Sequence, residues 1–154
     1  MPHQTRPVPE GFHTVTPYKI VRDASCALDF HARAFGAEDL MRHADPDGKV
    51  RHAQIRIDDL PIMVAVESSE FPAGRGPESL GGATTHLFPC LENVDAVFAR
   101  ALAAGATELM PVQDQWYGDR QGGLTDPFGH VWWVSTHMED LSQGELARRA
   151  AARS

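Results

Sequence analysis

A six-residue segment that occurs twice constrains this chain more than any other feature. Gly36-Ala37-Glu38-Asp39-Leu40-Met41 returns as Gly105-Ala106-Thr107-Glu108-Leu109-Met110. Each copy follows a helical pattern and leads into a β-like one, as expected of a duplicated supersecondary unit. Before the second copy, Val94, Val97, Phe98, Ala101 and Leu102 form one apolar stripe, Asn93 stands at the N-cap position, and Gly105 supplies the stop. Before the first, Leu28, His31 and Phe35 share a face, Asp23 or Ser25 is the cap, and Gly36 is the left-handed stop.

A strand precedes each helix, Thr14 to Val21 and Thr85 to Leu91, and three more follow it. In the first copy these are Asp39 to His43, Val50 to Asp58 and Pro61 to Glu67. In the second they are Thr107 to Pro111, Gly122 to Thr125 and His130 to His137, with Asp126-Pro127-Phe128-Gly129 as a type I turn. The expectation is an α+β fold of two βαβββ modules, 11–67 and 84–137, forming a cleft of curved mixed sheets. Residues 68–83, rich in Gly, Pro and Ser, read as a surface linker. Ser142 and Glu145 form a capping box and Leu141 and Leu146 a hydrophobic staple, so a C-terminal helix is expected within 141–152. Half a chain of this size makes a marginal core, so all 154 residues are read as a single domain whose sheets close on one another or on a second chain.

Composition removes several function classes. A formal charge of −7 with scattered arginines opposes a phosphate backbone, so no nucleic-acid partner is expected. No apolar run reaches the roughly 20 residues of a membrane span, and Met1 to Pro9 lacks the apolar stretch of a signal peptide; a cytoplasmic location, away from membranes, is expected. Cys26 and Cys90 are expected to be buried free thiols. Neither a Ser-His-Asp order nor a phosphate-cradling glycine loop is present, since Gly122-Gly123 is too short.

Ala27-Leu28-Asp29-Phe30-His31 with Ala34-Phe35-Gly36-Ala37, then Trp116-Tyr117-Gly118-Asp119-Arg120 and Asp126-Pro127-Phe128-Gly129-His130-Val131-Trp132, resembles the glyoxalase/bleomycin-resistance family of the vicinal oxygen chelate superfamily, and within it the PhnB-like branch. The likeness spans Gly11 to His137. It implies the βαβββ pair, a homodimer and a small-molecule ligand, but not one reaction, because one fold hosts many. The family's chelating enzymes place one metal ligand on the first and one on the last strand of each module. Carried over, these positions read Thr16, Val64, His86 and Trp133, of which only His86 is a good donor, so no metal cofactor is expected. His86 and Glu67 are the candidates should a displaced divalent metal site exist.

The residues expected to bind ligand are therefore organic. Trp116 and Trp133 offer flat stacking surfaces, His52 and Gln54 alternate onto one strand face, and Asp119 and Arg120 lie in a loop, where Arg120 suits a carboxylate. His86 as a general base and Tyr117 as a hydrogen-bond donor are the catalytic candidates. Two readings stand: a metal-independent protein that sequesters or processes a hydrophobic or aromatic metabolite or antibiotic, and an enzyme (lyase, isomerase or dioxygenase-like) using His86 as base or in a displaced metal site.

Overall fold

The computed structural model describes residues 5–70 and 74–153. Packing separates it into two compact units, 1–80 and 81–154. In each, a sheet carries a helix on one face; the opposite face, the open face, still includes buried residues, Gln121 and Ser135 in the second unit.

The first unit runs β1 (Tyr18–Val21), α1 (Ala24–Phe35), β2 (Glu38–Ala44), β3 (Val50–Ile57), β4 (Leu60–Val66) and a short α2 (Pro77–Leu80). The sheet order is β1-β4-β3-β2, with β1 parallel to β4 and the other pairs antiparallel. β1 is shorter than the pattern from Thr14 suggests: Pro17 accepts the Met63 N–H at 2.9 Å but has no N–H to return, so the ladder begins one residue later. Asp23 is the cap of α1, accepting from the Cys26 N–H at 2.9 Å, and that bond holds its carboxyl below the ordinary value. Gly36, at φ 66°, closes the helix in the left-handed region.

Residues directly opposite across two strands share a face. Ala53 with Val64 and Ile55 with Ile62 face α1, where they are buried with Ala27, Leu28 and Phe30. His52 with Ala65 and Gln54 with Met63 fall on the open face, beside Tyr18 and Ile20 of β1. The helix side also holds a buried polar pair. His31 Nδ1 bonds the Ala27 carbonyl, so its Nε2 accepts from Lys19 Nζ at 2.7 Å, satisfying an ammonium that is only 3% exposed.

Part of the stretch read as a linker is structured. Besides α2, the Ser68 N–H bonds the Gly74 carbonyl at 2.8 Å and the buried Gly76 donates to Glu67 Oε1 at 2.6 Å. A Cβ on Gly76 would lie 2.8 Å from the Ile20 carbonyl oxygen, so only glycine allows this approach to β1.

The second unit contains α3 (Val94–Ala103), β5 (Thr107–Asp114), β6 (Asp119–Thr125), β7 (Val131–His137) and α4 (Gln143–Ala151), with sheet order β5-β6-β7. The strand expected at Thr85 to Leu91 is reduced to two parallel bridges, Leu87 to Trp132 and Cys90 to Ser135. Its physical reason matches that in the first unit: Pro89 accepts from the Ser135 N–H at 3.0 Å and cannot donate back. Val94, Val97, Phe98 and Ala101 of α3 are buried, as are Leu124, Phe128, Trp132 and Val134. The Asp126–Gly129 turn forms as expected, with the Gly129 N–H on the Asp126 carbonyl at 3.1 Å.

Ser142 caps α4, accepting from Glu145 N–H at 3.2 Å. The Glu145 carboxylate turns instead to Arg148 and Arg149, which lower its pKa to about 2. The cysteine expectation is corrected: Cys26 and Cys90 are both exposed free thiols. Cys26 lies outside the buried stripe of α1, and Cys90 sits on a bridge rather than within a ladder.

Candidate functional site

On the open face of the first unit, a cavity of about 1180 Å³ is lined by Tyr18, Ile20 and Ala65, with Asp45, Arg51, His52, Val66 and Glu67 around it. Tyr18 and His52 stack, ring centroids 5.9 Å apart and planes 30° from parallel. Arg51 pairs with Asp45. Glu67 lies at the end of the chain segment leaving β4, and hydrogen bonds from the Ser79 side chain and then from the Gly76 N–H hold its carboxyl below the ordinary value. A smaller cavity of about 330 Å³ adjoins Phe12, His13, Thr16, Gln54 and Met63. His52 and Gln54 thus share a strand face but line different cavities.

The open face of the second unit carries Trp133 and Ser135 of β7 opposite Gly123 and Gln121 of β6. The Trp133 ring lies over Gly123, so closely that a Cβ there would be 2.5 Å from its Cζ3. Its indole N–H donates to His86 Nδ1 at 3.0 Å, and the two rings are 6.1 Å apart. Tyr117 donates its hydroxyl proton to Gln121 Oε1, and burial followed by the Asp119 charge raises its pKa. Trp116 packs edge-on to Tyr117, and the Arg153 guanidinium lies 5.3 Å from its ring centre.

Asp119 and Arg120 do not pair with each other. Arg120 grips Asp95 of α3 with two bonds of 2.8 Å and Asp114 at 3.0 Å, engaging both ends of its guanidinium. Asp119 goes to His137 Nδ1 at 2.7 Å, while His137 Nε2 meets Asp140 at 2.8 Å. Those two carboxylates, Asp119 foremost, raise the His137 pKa. A raised folded value means that His137 stabilises fully below its unfolded pKa of 6.5 and loses that contribution as pH rises through the folded value. Unfolding of wild type and His137→Gln compared from about pH 6 to about pH 9 should show a gap that closes as pH rises.

Backbone bonds fix how the modules correspond. Met63 N–H bonds Pro17 and Glu67 N–H bonds Val21, while Trp133 N–H bonds Leu87 and Leu91 N–H bonds Ser135. Pro17 therefore matches Leu87, Thr16 matches His86, and Trp133 matches Met63. The carry-over of Trp133 to Val64 is thus corrected by one residue: Val64 is wholly buried on the helix face, where nothing in the open face can reach it. The four family positions become Thr16, Met63, His86 and Trp133.

These residues do not fit a divalent ion. A ligating histidine normally donates from its second ring nitrogen. Here His86 Nδ1 faces an indole N–H, which can only donate, so Nε2 carries the ring proton and has no lone pair for a cation. Trp133 has no acceptor, and Met63 offers a soft thioether beside a lone hydroxyl. Among the described residues, no group of three or more His, Cys, Asp or Glu gathers as a metal site.

A sequence model of the Glyoxalase/Bleomycin resistance protein/Dioxygenase superfamily matches residues 12–134. The chain belongs to this superfamily. An uncharacterized protein of Mycobacterium bovis is 38% identical over 134 residues, 86% of this chain and 88% of its own length. Superfamily structures agree with the fold. TioX from Micromonospora sp. ML1 is 27% identical, with TM-score 0.65 over 82% of this chain and 99% of that one. The PhnB protein of Bacillus cereus is 20% identical, with TM-score 0.62 over 80% and 99%. A mutant of the fosfomycin resistance protein FosX of Listeria monocytogenes, solved with Mn(II) and dihydroxypropylphosphonic acid, is 18% identical, with TM-score 0.59 over 90% and 97%. The superfamily member described here has, among its described residues, no helix long and apolar enough to cross a membrane.

Sequence reasoning missed Tyr18 and Met63 as open-face residues and Arg51 as a cavity residue. Their signal was available in part, since Tyr18 alternates with the buried Lys19 on β1.

Proposed function

We propose that this protein is a small-molecule-binding member of its superfamily that takes up a flat, largely apolar metabolite or antibiotic without a metal ion. The reading carries with it the expected cytoplasmic location and homodimeric assembly. The observation that carries it is the Tyr18–His52 stack in the large cavity of the first module. Apolar Ile20 and Ala65 accept a hydrophobic face, the ring stack offers a surface for an aromatic one, and Arg51 and His52 supply orienting polar groups. FosX binds a phosphonic acid with Mn(II), but the donor set here supports a different chemistry. Base catalysis by His86 is less well supported, because the Nδ1 lone pair already accepts from Trp133.

Calorimetric titration of chelator-treated protein with a panel of planar aromatic antibiotics and metabolites tests this. At least one should bind near the micromolar range, about −8 kcal/mol. Tyr18→Ala should weaken that ligand about tenfold, as expected for an aromatic contact of about 1–1.5 kcal/mol. A panel without binders, or equal affinity in Tyr18→Ala, contradicts the proposal.

A further inference from the structure

The two cavities of the first module differ in what lines them. Asp45, Arg51, Glu67 and Glu70 carry charge around the large one. Among the described residues, the small one is lined by no Asp, Glu, Lys or Arg, and His13 is its one titratable residue. On a chain that is 23% charged, such a lining selects an uncharged occupant: it supplies hydrogen bonds but no countercharge for a desolvated ion.

The outer wall of the small cavity is the segment that precedes β1. Pro7 and Pro9 restrict its backbone, and the Phe12 N–H bonds the Pro9 carbonyl at 3.1 Å across Gly11, whose φ of 80° completes a type II turn. This turn brings the half-buried Phe12 to the same cavity as Gln54 of β3 and Met63 of β4. A strap already ordered in this way loses little freedom when a ligand arrives.

The two cavities adjoin. Tyr18 of the large one is the strand partner of Met63 in the small one, and Gln54 lies two residues beyond His52 on the same face of β3. Two strand residues span about 7 Å, so a ring against the Tyr18–His52 stack would place a substituent beside Gln54. There, no hydrogen bond joins the side chain of Gln54 or of Thr16 to any described residue, which leaves an amide and a hydroxyl to both donate and accept.

We infer that Gln54 is a specificity-determining residue: the small cavity takes an uncharged carboxamide substituent of the flat ligand, with Gln54 as its hydrogen-bond partner and the Pro7–Phe12 strap as its end wall. A carboxamide is the complement because one amide can donate to another and accept from it at once. The volume of about 330 Å³, near the low end of the roughly 300–1,000 Å³ usual for ligand pockets, suits a substituent rather than a whole ligand. The inference rests on the reading of the large cavity as the seat of the ring.

Calorimetry on the full chain with three probes of one ring and different heads, 2-naphthamide, 2-naphthoate and 2-naphthylmethylammonium, tests it. The amide should bind at least about tenfold tighter than either ion, although the formal charge of −7 favours the cation elsewhere on the surface. Gln54→Glu, which keeps the side-chain length but exchanges amide for carboxylate, should turn the preference to the ammonium. Gln54→Leu, which cannot introduce a charge into the sheet, should weaken the amide about tenfold and leave the two ions unchanged. N-butyl-2-naphthamide should bind wild type at least about tenfold more weakly than 2-naphthamide, and Phe12→Ala, which opens the end wall, should close that gap. Equal affinity for amide and ammonium in wild type, or the wild-type order of probes kept in both Gln54 variants, overturns the inference. If no naphthyl probe binds while another planar ligand does, the amide site fails and the ring site stands; if no planar ligand binds at all, both fail together.

Discussion

Asp126→Ala is expected to cost the second module about 3–4 kcal/mol, the sum expected for losing several bonds to one buried charged acceptor. The carboxylate is 3% exposed and accepts from the Phe128 N–H at 2.9 Å, the His130 N–H at 3.0 Å and the Trp132 indole N–H at 2.9 Å. Two of these donors shape the turn into β7. The third belongs to the largest fully buried side chain of the protein, and alanine would leave its N–H in the core without this acceptor. Asp126→Asn, which keeps one oxygen, should fall between. Urea unfolding followed by tryptophan emission measures the loss. A change below about 1 kcal/mol would show that the carboxylate does not organise this turn.

Gly123→Ala should be the next most damaging change, and it reaches the candidate site. A Cβ there would stand 2.5 Å from Trp133 Cζ3 and 2.8 Å from Cε3, so the rigid indole must leave its rotamer. Overpacking of this kind costs about 1–3 kcal/mol. It also separates the indole nitrogen from His86, so altered tryptophan emission and a displaced nitrogen-15 NMR signal of the His86 ring should accompany the loss of stability. At Gly122 the same substitution strikes Phe98 and Val112 instead, each 2.8 Å from the added carbon. Gly122→Ala should therefore destabilise while leaving the His86 signal in place. If both variants move His86 equally, Gly123 is not the specific platform for Trp133.

What could be read from the chain beforehand was governed by how local each determinant is. The helix caps at Asp23, Asn93 and Ser142 and the Asp126–Gly129 turn depend on neighbours within a few residues, and they occur as expected. The Val64 assignment slipped because the β3–β4 turn between Ile57 and Leu60 is tight, while Thr125 and Val131 span a longer connection. Counting from the turns therefore gives the wrong face, and only the bonds from Met63 and Trp133 restore the register. Arg120 illustrates a longer-range limit, since Asp95 comes from α3, 25 residues away. The adjacent carboxylate, Asp119, bonds His137. Proline had a non-obvious influence as well: Pro17 and Pro89 shortened both leading strands without disturbing the helices that follow.

Ligand binding that needs no divalent ion leaves the dissociation constant of the tightest ligand from the titration panel independent of one. Measured by calorimetry in excess EDTA and again in excess Mn2+, the two values should agree within a factor of about two, well under 1.4 kcal/mol. Affinity that vanishes with EDTA and returns with Mn2+ would assign binding to a metal centre that Thr16, Met63, His86 and Trp133 do not explain, and metal-independent binding would be wrong.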